Sequence, residues 1–305
     1  MLQAQDPSLH RKGLLITAIG GLALSFDIPL IRSSQGDVWS VLAVRSLSTF
    51  LVAIAAWSLI RFLLKRPMAL IPGRTGLVVG LLYGINSLTF MLSVFNTTTA
   101  NVVFILAFTS MFAALLSWIF LGERPTKATL VTMAAMLGGV ALIVHDGLES
   151  GNFFGDAMAT CSAFLLATAI TISRKSGADM GFVPLVTAVI PGLAALLLLP
   201  DGVLQLEQPG YILFDGLVMA PLAFWCLATG PRFLSAPEVG MFYLLETVLA
   251  PIWVWIIFTE RPSNQTLVGG SILIAALLFH SLWQMRSKAK AASVRGAAAA
   301  EAAAG

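Results

Sequence analysis

The chain has 305 residues, of which 58% are hydrophobic and 11% are charged, and its mean hydropathy is +0.89. A sequence this poor in polar groups cannot supply the surface of one or two soluble globular domains, so a soluble protein is excluded. The net charge of +3 is spread along the chain, and no basic domain is present that would bind nucleic acid. The composition instead predicts an integral membrane protein.

Apolar runs follow one another along the chain, each long enough to cross a hydrocarbon core of roughly 30 Å at about 1.5 Å per helical residue. Charged residues, prolines and glycines separate these runs. Their positions predict an all-α integral membrane protein with ten transmembrane helices, at 13–31, 38–60, 75–95, 101–121, 127–144, 155–173, 182–200, 211–230, 238–258 and 264–285. Nine or eleven spans are the alternatives, since 155–173 is rich in small residues and has Asp156 at its edge.

Arginine and lysine residues predict the orientation, because cytoplasmic loops carry an excess of them. If the N-terminus lies in the cytoplasm, fifteen of the 18 basic residues fall in cytoplasmic segments. Only Arg32 and Arg261 fall in outer loops, and Arg45 lies within the second span. Both termini are therefore predicted to be cytoplasmic. The first apolar run lacks the short hydrophobic region and cleavage site of a signal peptide, so we expect it to remain as a span.

The stretch FLGERPT at 120–126 returns as IFTERPS at 257–263. Glu123 and Glu260 are 137 residues apart, and the same offset aligns Trp118 with Trp255. This pattern predicts a duplicated unit of five spans. Because five is odd, the second copy must enter the membrane upside down. Two inverted repeats around a central cavity are typical of carriers that work by alternating access.

The duplication sets the predicted domains. They are a cytoplasmic tail at 1–12, a first five-helix repeat at 13–144, an outer linker at 145–154, a second, inverted five-helix repeat at 155–285 and a cytoplasmic Ala-rich tail at 286–305. The Glu-Arg-Pro motif itself is predicted to end one helix and start the next, with its charges at the membrane surface. Direct contact with a substrate is the alternative.

Two stretches of the sequence resemble a known family. LAFTSMFAALLSWIFLGERPTKATLVTMAAMLGGVALIV at 106–144 and YLLETVLAPIWVWIIFTERPSNQTLVGGSILIAALLF at 243–279 look like the repeats of the drug/metabolite transporter superfamily, EamA-type branch. The second copy departs from the family pattern at Thr259, where Gly is usual, and at Thr247, where Pro is common.

The resemblance implies a ten-helix transporter of small organic metabolites, with spans 1–4 and 6–9 around a central cavity and spans 5 and 10 at the periphery. Within the superfamily the chain looks most like the bacterial amino-acid and metabolite exporters, in particular the aromatic amino-acid exporter group (YddG-like). A multi-pass protein of the bacterial inner membrane is therefore expected.

Charged residues inside the spans are costly and mark functional candidates. Asp27 and Arg45 lie at similar depth near the outer ends of the first two spans, where they can pair. Three roles stay open for them: a structural ion pair, a substrate or gating contact, and exposure at an outer vestibule. Asp215 is predicted to be an interfacial charge. Glu246 lies about 12 Å into the ninth span, where it can hold an ammonium group or take up a proton; satisfaction by neighbouring hydroxyls is the alternative.

Other polar and aromatic residues inside the spans are candidates for the cavity wall, with helix packing or lipid contact as the alternative. With Glu246, they are Tyr83, Asn86, Phe90, Asn101, Phe104, Phe108, Trp225, Thr229 and Tyr243. The hinge candidates are Pro29, Pro191, Pro221 and Pro251, since proline inside a helix removes a backbone hydrogen bond and favours a kink. Gly76, Gly80 and Gly84 form a small-residue ridge that predicts close helix packing.

Substrate class follows from which charges the spans contain. A carrier of phosphorylated compounds needs Lys or Arg deep in its cavity, and only Arg45 lies clearly inside a span. A neutral or zwitterionic molecule with an apolar or aromatic part fits better. Three scattered histidines and the lack of hydrolase or metalloprotease motifs argue against an enzyme. No cofactor and no metal are predicted; the expected partners are a small-molecule substrate and the lipid bilayer. The oligomeric state stays open, and a channel or a scaffold is the rival class.

Overall fold

The structure is a computed structural model, which describes residues 7–63, 69–122, 127–150, 152–234, 236–259 and 262–272, and a few positions between 274 and 283. This described part of the chain is helical. Its extended backbone pairs only at an isolated bridge between Gly36 and Leu206, which joins the loop after the first span to the loop before the eighth. The sheet-free architecture agrees with the all-α prediction.

Seven α-helices form the first half of the chain. They are α1 (Pro7–Leu24), α2 (Asp27–Ser33), α3 (Val38–Ser58), α4 (Gly73–Asn96), α5 (Thr99–Leu106), α6 (Thr109–Leu121) and α7 (Lys127–Ser150). A π-helical turn at Leu59–Leu63 extends α3. Asp37 caps α3, since its carboxylate accepts hydrogen bonds from the backbone N–H groups of Trp39 at 2.9 Å and Ser40 at 3.2 Å.

Six α-helices follow in the second half. They are α8 (Phe153–Ser176), α9 (Val183–Thr187), α10 (Val189–Leu197), α11 (Pro209–Phe214), α12 (Ala220–Thr229) and α13 (Ala236–Phe258). A π-helical turn at Asp215–Met219 joins α11 to α12, and residues 264–272 are also helical. The end of α7 and the start of α8 both fall inside the segment 145–154 that the sequence predicts as a linker.

Helix length and composition make this a multi-pass membrane protein. Six helical segments of the described chain are long and apolar enough to cross a membrane: Arg11–Ser33, Val38–Phe62, Gly73–Asn96, Thr99–Leu121, Phe153–Ser176 and Pro209–Thr229. Shorter apolar helices cover Leu130–Gly139, Val183–Leu197 and Leu245–Phe258. These ranges coincide with nine of the ten predicted spans, and the count of ten stays a prediction.

Several spans are interrupted near a proline. The backbone leaves regular α-helix at Ser25 and Phe26, between α1 and α2, and at Ala188, between α9 and α10. Proline lacks the N–H that would bond to the carbonyl four residues earlier, so Pro29 leaves the Ser25 carbonyl and Pro191 the Thr187 carbonyl without that bond. Two of the predicted hinge prolines therefore lie directly after a break.

The other two prolines lie in different surroundings. Pro221 follows the π-helical turn at Asp215–Met219. Because proline has no N–H, it cannot bond to the carbonyl four residues earlier, which belongs to Leu217 in this turn. Pro251 lies inside α13, which continues past it to Phe258. The fourth span is broken without a proline, at Ala107 and Phe108, where the Ser110 hydroxyl donates to the Ala107 carbonyl at 3.0 Å.

Helix packing relates the two halves of the chain. The long helix α4 lies along α8, and α1 lies along α12. The first pair consists of spans 3 and 6, and the second pair consists of spans 8 and 1. Span 3 is equivalent to span 8 and span 6 to span 1, so the two pairs are equivalent contacts of the two repeats. The pairs α3 with α10 and α5 with α13 join equivalent spans directly. Close approach at α4 requires glycine, since a Cβ on Gly80 would lie 2.4 Å from Cγ2 of Thr187.

Equivalent helix ends also show the repeat. Gly122 ends α6 with a φ of 69°, and its N–H donates to the Trp118 carbonyl at 3.2 Å. Thr259, 137 residues later, ends α13 with a φ of 57°, and its N–H donates to the Trp255 carbonyl at 3.0 Å. Both are left-handed caps. The glutamate and arginine of each Glu-Arg-Pro motif, and Pro125, lie outside the described residues.

Candidate functional site

A cavity lies between the two halves of the bundle. Its wall comes from α1 to α6 in the first half and from α8, α9, α12 and α13 in the second. The cavity is partly open to solvent, and the volume available to the centres of water-sized molecules is about 60 Å³. Thus the first four predicted spans and spans 6 to 9 all supply residues to one cavity.

Aromatic side chains form much of the apolar wall. Tyr83 and Phe90 come from α4, Phe224 from α12 and Tyr243 from α13. Tyr243 packs against the apolar cluster that contains Tyr83. Positions 83 and 90 are seven residues apart, so both project from one face of α4. Rings at this spacing can stack on an apolar or aromatic group and can hold an ammonium group by cation–π contact.

Glu246 is a buried carboxylate of the cavity wall. It lies on α13, its side chain is 5% exposed, and it lines the cavity. Its Oε1 has no hydrogen-bond partner among the described residues. A buried carboxylate oxygen that has lost water without gaining a donor is destabilising by several kcal/mol. The predicted satisfaction by neighbouring hydroxyls does not reach this oxygen, so a ligand that brings an N–H donor would be favoured there.

Asp27 and Arg45 form the ion pair that their similar depth suggests. Nη2 of Arg45 donates to the two carboxylate oxygens of Asp27 at 2.7 and 2.9 Å, and Nε donates to Oδ1 at 3.1 Å. Both side chains are nearly buried, with 4% and 3% exposed, and both line the cavity. The exposed vestibule position is therefore excluded for them. The planar guanidinium suits this forked contact.

Asp215 is not the interfacial charge that its sequence position predicts. Its side chain is fully buried, and its Oδ2 accepts a hydrogen bond from Nε of Arg45 at 2.8 Å. The correction has a structural cause: the π-helical turn that begins at Asp215 turns this carboxylate toward α3. Two carboxylates, from different halves of the chain, thus share one guanidinium, whose carbon also lies 5.5 Å from the centre of the Phe224 ring.

Neutral polar groups complete the wall. The Ser162 hydroxyl donates to Oδ1 of Asn86 at 2.8 Å, which leaves the amide nitrogen of Asn86 as the free donor. The hydroxyls of Ser46 and Thr109 are buried and have no partner among the described residues. All four residues line the cavity. A carboxylate or carbonyl group of a ligand would find hydrogen-bond donors here.

Five residues predicted for the cavity lie elsewhere. Asn101 donates from Nδ2 to Asp156 at 3.2 Å, and its Oδ1 accepts from the Thr266 hydroxyl at 2.9 Å. The Phe104 ring occupies the place of a Cβ on Gly270 in the last helix, and the Phe108 ring packs edge-on against Phe112. Trp225 and Thr229 face the backbone at Gly181.

Helix breaks explain these displacements. The interruption at Ala107 and Phe108 turns the two parts of the fourth span, so Leu106 and Thr109 reach the cavity in place of Phe104 and Phe108. In α12 the cavity side chain is Phe224, one residue and about 100° around the helix from Trp225. Within the described part of the chain, no group of three His, Cys, Asp or Glu side chains is arranged as metal ligands.

Comparison with known protein families assigns both halves of the chain to one family. Residues 11–145 and residues 153–282 each match the EamA-like transporter family, so two copies cover most of the chain. The chain belongs to the EamA-like transporter family. It is therefore a membrane transporter of small substrates, and the family is not one of enzymes.

Solved structures share the fold of this EamA-like transporter. Twenty-six chains of solved structures match. One of them, titled "Crystal structure of protein", has a TM-score of 0.65 and 18% sequence identity over 89% of this chain and 99% of that chain. At this identity the likeness concerns the fold alone. None of the curated proteins matches the chain.

Proposed function

We propose that this protein is a secondary transporter that exports small neutral or zwitterionic metabolites, foremost amino acids with large apolar or aromatic side chains. One observation carries the proposal: the Glu246 carboxylate is buried without a hydrogen-bond partner in a cavity with aromatic walls. An α-ammonium group would supply the missing donor and compensating charge. The side chain of the amino acid would pack against Tyr83, Phe90 and Tyr243.

Charge supports an amine over an anion. Arg45 is the one cationic side chain among the described residues of the wall, and Asp27 and Asp215 already bind it. A phosphate would therefore find no unpaired Lys or Arg among the described residues of the wall. The single carboxylate of an amino acid is small enough to be held by neutral donors such as the Asn86 amide.

Transport by alternating access is proposed from the duplication. The cavity takes its wall from both copies, and the two left-handed caps at Gly122 and Thr259 follow the same 137-residue offset. Five spans in each copy would invert the second copy, so the halves can exchange conformations. Pro29, Pro191 and Pro221 lie beside helix irregularities, where bending is least costly. The charge bias of the loops supports cytoplasmic termini in a bacterial inner membrane.

A second candidate substrate is an amphipathic cationic amine such as a drug. The same carboxylate and the same rings favour it, and it needs no donors for a carboxylate. A scaffold would have no use for a polar site between two copies, and a channel would not need its flux to saturate. Saturable flux separates a carrier from an open pore.

The test is counterflow in proteoliposomes that contain the purified protein. Vesicles are loaded with unlabelled phenylalanine, tryptophan, threonine, a polyamine or a sugar phosphate, and uptake of the same labelled compound is followed. We expect saturable exchange of phenylalanine and tryptophan, weaker exchange of threonine and none of the sugar phosphate. Exchange of the sugar phosphate without any amino acid would refute the proposal, and exchange of the polyamine alone would favour the cationic amine.

A charge-neutral variant tests the role of Glu246. Glu246→Gln keeps the size of the side chain but removes the charge that would bind an ammonium group, so we expect the half-saturating phenylalanine concentration to rise about tenfold or more. Glu207→Gln is the matched control, because Glu207 is exposed in the loop before α11. Equal affinities in the two variants would contradict the assignment.

A further inference from the structure

The cluster of Asp27, Arg45 and Asp215 contains one more carboxylate than it needs to neutralise the guanidinium. Asp27 alone makes the forked contact, through both of its oxygens. Asp215 adds a bond to Nε from the other half of the chain. Its side chain has no exposed surface, and it does not belong to the described cavity wall. A fully buried extra carboxylate is costly, and simple neutralisation of Arg45 does not explain it.

The backbone around Asp215 is shaped to bring it to Arg45. Gly216 approaches α3 so closely that a Cβ there would lie 2.0 Å from Oγ of Ser48 and 2.8 Å from the Arg45 carbonyl oxygen. The Thr49 hydroxyl donates to the Gly216 carbonyl at 3.0 Å. This contact satisfies a carbonyl in the π-helical turn, and such turns occur often at functional sites. The segment is thus anchored to the turn of α3 that runs from Arg45 to Thr49.

We propose that Asp215 is a specificity-determining residue of the cavity, which acts through Arg45. The inference rests on the proposed function, namely that the cavity takes amines and amino acids. Without Asp215 the cation in the wall would be half of a neutral pair and could attract the carboxylate of an anionic compound. With Asp215 bound at Nε and Asp27 bound at Nη2, the charge of the guanidinium is shared between two carboxyl groups, and fewer of its N–H groups are left for the carboxylate of an anionic compound.

Because Arg45 lies in the cavity wall, a change in its hydrogen-bond partners alters the charge that a bound substrate meets. Arg45 lines the cavity, and its guanidinium lies over the Phe224 ring, which lines the cavity too. Asp215 contacts the guanidinium from outside the wall. It is therefore a positioning residue that sets the charge seen by the substrate without touching it. The predicted readout is selectivity between charges, which a purely structural role would leave unchanged.

Three compounds with one phenyl ring test the proposal: 2-phenylethylamine, phenylalanine and 3-phenylpropionate, which are a cation, a zwitterion and an anion. Equilibrium dialysis measures the binding of each labelled compound to the purified protein. We expect the natural protein to bind the amine and the amino acid and to bind the acid at least about tenfold more weakly. In Asp215→Asn the ratio of acid to amine affinity should rise about tenfold.

Two further variants separate charge from packing. Asp215→Glu keeps the charge and should keep the natural ratio, whereas Asp179→Asn removes an exposed partner of Arg232 at the surface and should change nothing. If Asp215→Asn does not fold, Asp27→Asn removes the same unit of charge from the same guanidinium and should shift the ratio in the same direction.

The outcomes distinguish this inference from the proposed function. If Asp215→Asn weakens all three compounds equally, or if Asp215→Glu shifts the ratio as much as Asp215→Asn, the inference is wrong and the transport proposal stands. If the natural protein binds the acid as tightly as the amine, the inference is again wrong. If it binds none of the three compounds, the proposed function fails and the inference falls with it.

Discussion

Single side chains in the cavity are held by partners on neighbouring helices. Asn86 on α4 is fixed by Ser162 on α8, which donates to its Oδ1. Ser162 is 1% exposed and Asn86 is 8% exposed, so both partners of this bond are buried. This bond decides which end of the amide can serve a ligand, because an amide with its oxygen occupied presents its nitrogen. Residue chemistry in the site thus depends on contacts between distant segments.

We expect Ser162→Ala to weaken phenylalanine binding about fivefold to tenfold, since the loss of one hydrogen bond that orients a buried group costs about 1 kcal/mol. Counterflow at varied phenylalanine concentration measures the effect. Thr168→Ala is the control on the same helix, because Thr168 is half-buried outside the described cavity wall and its hydroxyl donates only to the Phe164 carbonyl. An unchanged affinity in Ser162→Ala would mean that the Asn86 amide does not contact the substrate.

At the scale of elements, helix ends and breaks shape the bundle more than the apolar runs do. Spans 1, 4 and 7 are each divided into two α-helices, and span 8 contains a π-helical turn. Each irregularity turns the following residues around the helix axis. That is why Phe224 and Thr109 face the cavity while Trp225 and Phe108 do not. A regular helical period cannot predict such turns.

The two repeat caps allow a test of strain at one helix end. A β-branched residue in the left-handed region costs roughly 1–2 kcal/mol, whereas glycine adopts it freely. We expect Thr259→Gly to stabilise the protein by about 1 kcal/mol and the reciprocal Gly122→Thr to destabilise it by a similar amount. The midpoint of thermal unfolding in detergent measures both. A lower midpoint for Thr259→Gly would show that the threonine side chain contributes more than its backbone costs.

At the scale of the whole molecule, the two copies form one cavity and exchange their packing partners. The contacts of α4 with α8 and of α1 with α12 are equivalent under exchange of the halves. The ion cluster also joins the halves, since Asp27 and Asp215 come from different copies and bind the same arginine. The cluster therefore joins the two copies by charge-assisted hydrogen bonds.

Inverted topology predicts opposite labelling of equivalent helix starts. Arg74 is the second residue of α4 and Gly210 the second residue of α11, and both are exposed. In a background without Cys161 and Cys226, a membrane-impermeant maleimide should label Gly210→Cys in intact cells. It should label Arg74→Cys only after the membrane is permeabilised. Labelling of both positions from the same side would contradict the inversion.

Composition and patterning determined the class of this protein. Long apolar runs must be membrane helices because only internally bonded backbone is stable in lipid. The 137-residue repeat indicated a duplication of one unit. In the structure Trp118 and Trp255, which are related by this offset, precede equivalent helix caps. Glu246, Asp27 and Arg45 could be singled out because charge inside a span is rare and costly. The described helices coincide with nine of the ten segments marked in this way.

Only the tertiary structure decided which side chains meet. Asp215 lies 170 residues from its partner Arg45, and its burial depends on a π-helical turn and on the absence of a side chain at Gly216. Asn101 was predicted to line the cavity together with Phe104 and Phe108, but it forms hydrogen bonds with Asp156 and Thr266 instead. Sequence spacing describes neighbours within one helix, whereas the rotation of each helix depends on packing against others. For this reason the class could be derived from the sequence, but the composition of the cavity could not.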